Sequence, residues 1–534
     1  MTADVKSGVT PQASGDRIST RPIIGVAAVL VGTINSVLAD RLMLNALPDL
    51  RGALGIGIDQ AAWIPSALNA AQMFMGPMSI ALAAVFGHRR VLLYSCFVYI
   101  FSSALAPFIL DWHTLIAVQV IRGLSSGTFY PLTLSLVVRN LPKQWITFGI
   151  AAYAMDVLGS NHLAFPLYAF YHEYLSWTWI FWNSVIFTSV MVLCIIRGIP
   201  KQAPMPDFHK MRFRDFIYAS AGLTFLYIGL DQGERCDWFN SGLINGLFVA
   251  GTILLILAAY RRFRSPNPLI DLHILISRNV GLLSYCLTVY RVSLLATFSL
   301  IPSFLIGLQS YRPLEAAPLA LESGIAAVLV APIIAVAVKK YDARLIAAVG
   351  LAILSLGLLG QAHLLSTWLR QDFLDWQIII AAAHPIVFIP LVAIQLYSDQ
   401  RPGQEPSRVF LYTTGVYFQI IRLFGTEAGN SVMQRFLLTR NHFWRTILVS
   451  HVNGTWQTDE RLATLSRAMV SNAPGLSPAN QRAVRLLTEN VLRQAQTLSI
   501  ADGFMILGCF VVSAVFVTAF LRPVTLPGAL CEKL

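Results

Sequence analysis

Charged side chains are scarce in this sequence. Only 12% of its 534 residues are Asp, Glu, Lys or Arg, while 56% are hydrophobic, and the mean hydropathy is +0.62. A soluble globular domain carries about 25% charged residues. The scarcity of charge therefore excludes a soluble enzyme of this size and predicts a protein that lies in a lipid bilayer.

Cysteine is also rare, and none of the cysteines belongs to a CxxC pair. Four of the six fall inside apolar runs, so the sequence indicates neither a disulfide framework nor a metal site. The six cysteines stand at positions 96, 194, 236, 286, 509 and 531.

A phosphate-binding loop of the form G-x-x-x-x-G-K-[ST] is missing as well. No predicted cytoplasmic connection is long enough to hold an ATPase domain, so a nucleotide-driven pump would need a separate subunit. We therefore expect no cofactor, and a proton gradient as the driving force.

Long apolar runs are what the sequence has in abundance. A helix needs about 20 mostly apolar residues to cross the hydrocarbon layer of a membrane, and fourteen runs of this kind are separated by polar breaks. The predicted spans cover residues 23–46, 63–86, 91–110, 115–138, 147–170, 177–196, 216–231, 243–260, 280–304, 316–338, 345–365, 376–396, 410–436 and 501–520.

Basic residues alternate between many and few from one connection to the next. Arg89 and Arg90 follow span two and five basic residues fall in 197–214, whereas the outer connections carry few. Because cytoplasmic connections are enriched in Lys and Arg, we expect cytoplasmic tails at 1–22 and 521–534. This topology accounts for the net charge of +12 without a nucleic-acid partner, and we expect a multi-pass protein of the bacterial inner membrane.

One outer segment, residues 437–500, is long and polar. Ser477 and Pro478 are typical of a helix start, and apolar residues then recur at helical spacing toward the last span. The segment is either a solvated lid on the outer rim or a surface for a periplasmic adaptor protein, which in turn would meet an outer-membrane channel.

Two stretches resemble the EmrB/QacA-type drug:proton antiporters: LDQGERCDWFNS at residues 230–241, and PLIDL at 268–272 followed by SRN at 277–279. The resemblance extends over the whole chain. It also includes NALP at 45–48, RG at 122–123, WTWIF at 177–181 and DAR at 342–344.

The resemblance implies a major-facilitator fold, which is all-α and has two pseudo-symmetric six-helix halves. These would be residues 23–200 and 279–520, with spans seven and eight (215–262) as a peripheral pair inserted between them. Substrate would bind between the halves near the middle of the membrane. The family's aspartate after span two is replaced by Ala84, and the fifth-span motif is reduced to Gly159 and Pro166.

Ionisable side chains inside the predicted spans are the best candidates for a transport site, because burying a charge in the bilayer costs about 3 kcal/mol or more. Arg122 in span four and Asp156 in span five are expected to form an ion pair that a proton or a cationic substrate displaces. The alternative is a purely structural pair that holds the first half together.

Further candidates for proton coupling lie in both halves. Asp40 in span one matches the family's D-x4-N pattern. The matching candidates in the second half are Arg291 in span nine and Arg422 and Glu427 in span thirteen. Glu322 in span ten is a weaker candidate. Residues that line a polar cavity are a second group, although His162 is also typical of a hydrogen-bonded packing residue. The predicted cavity residues are His162, Tyr153, Gln72, Gln361 and Gln395.

The sequence thus predicts a proton-coupled secondary transporter that exports small amphipathic molecules, such as drugs or siderophore-like compounds, by alternating access. Uptake is the alternative direction, because the reduced fifth-span motif is the element that the family associates with export. A membrane-embedded enzyme is the alternative from another class, but the aspartate of Gly55-Ile-Gly57-Ile-Asp59 is one residue too far from its glycines for an intramembrane-protease motif.

Overall fold

The apolar runs form helices in a computed structural model that describes residues 20–141, 145–200, 213–263, 272–397, 408–452, 456–470 and 476–523. Within these ranges every regular element is a helix. Most of both predicted tails and of the PLIDL stretch at 268–272 lie outside the described residues.

The helices of the first predicted half are α1 (Thr20–Asn45), α2 (Leu47–Leu54), α3 (Ile58–Phe86), α4 (His88–Leu105), α5 (Trp112–Ser126), α6 (Phe129–Asn140), α7 (Ile146–Tyr174) and α8 (Trp179–Gly198). The inserted pair is α9 (Phe213–Gly233) and α10 (Gly242–Phe263). The remaining helices are α11 (Leu272–Ile276), α12 (Arg278–Leu295), α13 (Ile301–Gly307), α14 (Pro313–Lys340), α15 (Ala343–Gln361), α16 (Arg370–Tyr397), α17 (Arg408–Val452), α18 (Trp456–Val470) and α19 (Leu476–Thr518).

Among the described residues, ten helical segments are long and apolar enough to cross a membrane. The other four predicted spans fall on α5 with α6, on α7, on α9 and on α17. Span four is divided at Gly127 and Thr128, so neither of its pieces reaches the length of a full crossing. The protein is therefore a multi-pass membrane protein, and the total of fourteen spans stays a prediction.

Local backbone chemistry sets two of the helix boundaries. Gly87 joins α3 to α4 through a single residue at φ +82°, a backbone conformation that L side chains rarely adopt. Span nine is interrupted by a π-helical turn at Ala296–Leu300 between α12 and α13, and such turns re-aim the side chains of a helix.

The two halves repeat one contact on the predicted cytoplasmic side. Arg89 at the start of α4 donates from Nη1 to the carbonyl of Ile199 just after α8, at 3.0 Å. Arg344 at the start of α15 donates from Nη1 to the carbonyl of Leu521 just after α19, also at 3.0 Å. In each half, an arginine therefore holds the end of the last helix, where free carbonyl groups attract positive charge.

The most extensive contact at the seam between the halves is that of α7 with α14. α17 also packs against α6 and α3, and α16 packs against α7. Small residues allow close approach here, because a Cβ atom on Gly324 of α14 would meet the Cβ of His162 on α7 at 2.7 Å.

The two helices of the predicted inserted pair have different surroundings. α9 packs against both α3 and α17, so it touches the seam between the halves. α10 packs mainly on α9 and is largely exposed. That the pair is peripheral to the other twelve spans stays a prediction.

The outer segment is more helical than its polar composition suggested. α17 continues without interruption for 45 residues, from span thirteen to Val452. Asp502 on α19 accepts hydrogen bonds from Arg440 Nε at 2.7 Å and from Trp444 Nε1 at 2.6 Å, which hold the two long helices together. The predicted helix start at Ser477 and Pro478 is confirmed, because α19 begins at Leu476 and continues into the last span.

Candidate functional site

A charged cluster joins three helices at the seam between the halves. Asp40 on α1 and Arg422 on α17 form an ion pair, with Oδ2 and Nη2 3.2 Å apart, and their side chains are only 14% and 7% exposed. Gln72 on α3 lies between them. Its Nε2 donates to Asp40 Oδ1 at 2.7 Å, and its Oε1 accepts from Arg422 Nη2.

The amide nitrogen of Gln72 thus faces the negative charge of Asp40, and its amide oxygen faces the positive charge of Arg422. Its Nε2 also reaches Ser126 Oγ at 3.2 Å on α5, and Gln419 Nε2 on α17 donates to the Gln72 carbonyl at 3.5 Å. A buried ion pair is stable only when further hydrogen bonds complete it. Sequence reasoning named Asp40, Gln72 and Arg422, and the structure brings the three together.

Aromatic rings surround the second arginine of the cluster, Arg291 on α12. Its Nη2 donates to Tyr130 OH at 3.2 Å, and its guanidinium lies 5.7 Å from the centre of the Phe388 ring and 6.0 Å from that of Tyr290. The Phe388 ring also stacks on Tyr153 at 6.1 Å. The predicted cavity residue Tyr153 therefore does face the interior.

The rings link Arg291 to the ion pair. Arg422 lies over the face of Tyr130, 4.6 Å from the ring centre, while the hydroxyl of the same tyrosine accepts from Arg291. Guanidinium groups interact favourably with aromatic faces. Tyr130 was not predicted, since tyrosines inside apolar runs carry no periodic signal that sets them apart.

A third arginine, Arg41, follows Asp40 on α1 but points elsewhere, since adjacent residues diverge by about 100° on a helix. Its Nε donates to Asn161 Oδ1 on α7 at 2.9 Å. The guanidinium also lies 5.4 Å from the centre of the Phe298 ring, which belongs to the π-helical turn. Arg41 thus contacts both halves.

The predicted ion pair between Arg122 and Asp156 is not formed. Arg122 donates to Gln119 Oε1 at 2.7 Å and to Ser103 Oγ at 3.0 Å, with Ser184 Oγ at 3.2 Å. Its guanidinium also lies over the Phe181 ring at 4.8 Å.

The prediction failed because it rested on depth in the membrane alone. α5 directs Arg122 toward α4 and α8, away from α7, and its donors are used by neutral acceptors. Both carboxylate oxygens of Asp156 are buried without a hydrogen-bond partner among the described residues. Similar depth on two helices does not bring two side chains to the same face.

A second polar cluster lies where α9 meets α3 and α17. The carboxyl groups of Asp231 on α9 and Glu427 on α17 are close enough to interact electrostatically, and Tyr227 OH lies 3.5 Å from Glu427 Oε2. Asp231 Oδ2 accepts hydrogen bonds from Ser66 Oγ and from Gln232 Nε2. Two carboxylates this close repel each other when both are ionised.

Sequence reasoning named Glu427 but missed Asp231. The signal was present, since Asp231 is the second residue of the LDQGERCDWFNS stretch that marks the family resemblance. Asp231 is the last residue of predicted span seven, 216–231. The proximity of Asp231 to Glu427 depends on how α9 packs against α17, which the local sequence does not specify.

The remaining candidates do not join either cluster. Glu322 is exposed on α14, so it is not an interior group. His162 packs at the seam, with Nδ1 3.2 Å from the Ala320 carbonyl and 3.3 Å from Ser323 Oγ. Gln361 and Gln395 are buried on α15 and α16, and among the described residues neither forms a hydrogen bond with the charged cluster.

One ion pair outside the membrane-spanning region belongs to the DAR stretch. Asp342 precedes α15 and accepts from Arg344 Nη2 at 2.7 Å and from the Arg344 backbone at 2.9 Å. Partial burial opposes ionisation, but the hydrogen bonds from Arg344 prevail and lower the pKa of Asp342 below its ordinary value. Asp342 therefore stays ionised at neutral pH and fixes the arginine that holds the end of α19.

Comparisons with known proteins agree with this architecture. A family model described as Major Facilitator Superfamily matches residues 29–426. The chain is 25% identical over 441 residues to the multidrug export protein EmrB of Haemophilus influenzae, which covers 81% of this chain and 85% of that protein. It is 23% identical over 492 residues to EmrB of Escherichia coli, with 92% and 93% covered.

Solved structures give the same fold. The proton:xylose symporter XylE superimposes with a TM-score of 0.58, covering 95% of this chain and 97% of that chain at 10% sequence identity. At this identity the likeness concerns the arrangement of the helices and not the ligand.

Proposed function

Because the chain belongs to the Major Facilitator Superfamily and is a multi-pass membrane transporter of small molecules, we propose that it exports amphipathic compounds by alternating access, driven by protons. We place it in the inner membrane of a bacterium. The proposal includes no cofactor, since the proton gradient supplies the energy.

The observation that carries the proposal is the ion pair of Asp40 and Arg422 across the seam. At 3.2 Å and an effective dielectric constant of about 20, its Coulomb energy is about 5 kcal/mol. A proton on Asp40 cancels this attraction while leaving the amide of Gln72 in place. Protonation therefore loosens the contact between α1 and α17, which belong to different halves.

The carboxyl pair of Asp231 and Glu427 supports coupling at a second place. Two negative charges at this place would repel each other, so binding of one proton between α9 and α17 relieves the repulsion and its release restores it. Both clusters include a residue of α17, Arg422 or Glu427. A change of protonation at either cluster thus acts on the same helix.

Export is the direction that we propose, because two of the relatives are named multidrug export proteins. The sequence-based alternative, uptake, rested on the reduced fifth-span motif at Gly159 and Pro166. A Cβ atom on Gly159 would meet only Val328 of α14, at an ordinary van der Waals distance of 3.7 Å, so the packing of α7 on α14 does not depend on this glycine of the motif.

The outer layer formed by the end of α17, by α18 and by the start of α19 is the part that we propose for a periplasmic adaptor protein and, beyond it, an outer-membrane channel. Large apolar side chains are exposed there, among them Trp456 and Val484. Tryptophan is enriched in protein–protein interfaces. Site-specific photo-crosslinking from position 484 in intact cells tests this part of the proposal.

Reconstitution into proteoliposomes tests transport itself. A pH step across the membrane is expected to drive flux of fluorescent amphipathic probes, and collapse of the gradient with an ionophore is expected to stop it. Asp40→Asn should abolish the gradient-driven component while leaving exchange of probe across equal concentrations. Glu173→Gln, which changes an exposed carboxyl group at the end of α7, is the matched control.

Two results would count against the proposal. Folded protein that moves none of the probes under a pH step contradicts proton-driven transport. Wild-type pH dependence in Asp40→Asn removes Asp40 from the coupling step.

A further inference from the structure

The central cluster holds more positive than negative charge. Arg41, Arg291 and Arg422 converge there, and Arg41 is close enough to the other two for electrostatic repulsion. Asp40 is the one carboxylate that contacts a member of this group in the described part of the chain, and it pairs with Arg422. Two guanidinium groups are therefore left over.

Neutral acceptors serve both of these remaining arginines. Arg41 donates to the Asn161 amide at 2.9 Å, and Arg291 donates to Tyr130 OH at 3.2 Å. Within the described residues, neither has a carboxylate oxygen within 4.0 Å. Arg291 is only 5% exposed, and a buried charge without a counter-ion is unfavourable.

The acidic side chains nearby do not fill this role. Asp40 and, more weakly, Glu427 attract Arg41 at a distance. Asp40 is already paired with Arg422, and the Glu427 carboxyl group lies beside Tyr227 OH and near Asp231. The Asp156 carboxyl group has no hydrogen-bond partner among the described residues. A ligand is thus the remaining source of negative charge for Arg41 and Arg291.

The walls beside these arginines are aromatic. Phe298 lies against Arg41, while Tyr290 and Phe388 lie against Arg291 and stack on each other with ring centres 5.5 Å apart. Such faces accommodate a flat or apolar body, and guanidinium groups bind carboxylate, sulfonate or phosphate oxygens by charge-assisted hydrogen bonds.

We propose that the transported substrate is an amphipathic organic anion whose charged head binds Arg291 and Arg41, and whose apolar body lies against Tyr290, Phe388 and Phe298. This inference rests on the proposed transport function. A cationic substrate meets repulsion from three arginines, and the one carboxylate that would attract it is already paired.

Three fluorescent probes test the substrate class. 8-Anilino-1-naphthalenesulfonate is an anion, N-phenyl-1-naphthylamine is the same body without the sulfonate, and ethidium is a cation. Binding is titrated with purified protein in lipid nanodiscs, and gradient-driven flux is measured in proteoliposomes. We expect the wild type to bind and transport the anion in preference to the other two.

Variants at Arg291 separate charge from packing. Arg291→Met should weaken binding of the anion by about tenfold or more and change binding of the neutral analogue by less than about twofold. Arg291→Lys should restore part of the affinity, since it keeps the charge. Arg435→Met, at an exposed arginine of α17, controls for non-specific attraction. Size-exclusion profiles and melting curves establish that each variant is folded.

The outcomes distinguish this inference from the proposed function. The anion assignment is overturned if the wild type prefers ethidium or the neutral probe, or if folded Arg291→Met loses binding of all three probes equally. In either case, gradient-driven flux would still support the proposed transport function. Absence of flux for all three probes in folded protein counts against both proposals. Selective loss of the anion in Arg291→Met, with part of it restored in Arg291→Lys, supports the inference.

Discussion

The ion pair between Asp40 and Arg422 predicts a measurable coupling energy between two distant parts of the chain. Removal of one partner of a buried pair typically destabilises a protein by about 3–5 kcal/mol, because the other charge stays buried. We therefore expect Asp40→Asn and Arg422→Gln each to lower the free energy of unfolding by that amount. The double variant should lose less than the sum by about 2 kcal/mol or more.

The assay is fluorescence-monitored unfolding of the four proteins of this double-mutant cycle in mixed micelles with increasing sodium dodecyl sulfate. The coupling should stay below the Coulomb estimate of about 5 kcal/mol, since Gln72 continues to satisfy whichever partner remains. The pair of Arg435 and Glu234 provides a control at a similar distance, 3.3 Å, but with the arginine side chain 68% exposed.

Although Glu234 is only 14% exposed, solvent screens the exposed guanidinium of Arg435, and such pairs contribute about 1 kcal/mol or less, so the control cycle should be nearly additive. The inferred contact across the seam is refuted if the losses in free energy of unfolding of Asp40→Asn and Arg422→Gln sum to that of the double variant within about 0.5 kcal/mol.

Three further predictions concern side chains away from the ion pair. Arg122→Met should lower the free energy of unfolding by about 3 kcal/mol or more, since it leaves buried acceptors without a donor; lost proton coupling at wild-type stability would contradict this structural role. Hydrogen bonds from the side chain and backbone of Thr114 lower the pKa of Asp111 to about 2. The Asp111 carboxylate is therefore ionised above about pH 2, and its stabilising hydrogen bonds to the first turn of α5 are lost only as the pH falls through that value. Hydrogen exchange should then show constant protection of α5 from about pH 5 to about pH 8, and weaker protection in Asp111→Ala than in Asp111→Asn. Gly198→Ala places a Cβ against the backbone of α1 and should destabilise by about 1–3 kcal/mol, whereas Gly246→Ala, with open space around it, should not.

The positions of the helices followed from the sequence because the thickness of the hydrocarbon layer fixes how long an apolar run must be. Arg89 and Arg344 likewise mark the predicted cytoplasmic ends of helices. The direction in which a side chain points did not follow. Helices that are buried on several sides have no apolar face to read, so Arg122 and Asp156 could be placed by depth but not by rotation about the axis.

The same limit explains which site residues were found. Asp40, Gln72 and Arg422 are polar in apolar surroundings, so each stood out alone, yet their contact depends on how α1, α3 and α17 pack. Tyr130 and Phe388 are ordinary residues of an apolar run, and only their contacts with arginine side chains give them a role.

The uninterrupted length of α17 has a mechanical consequence. A helix of 45 residues is about 68 Å long at 1.5 Å per residue, more than twice the thickness of the hydrocarbon layer. Arg422 and Glu427 lie in the first half of this helix, toward its inner end. A tilt of about 10° about its inner end displaces the outer end by about 12 Å. In the proposed mechanism, a small tilt of α17 on protonation of the charged cluster would therefore produce a large displacement at the outer surface.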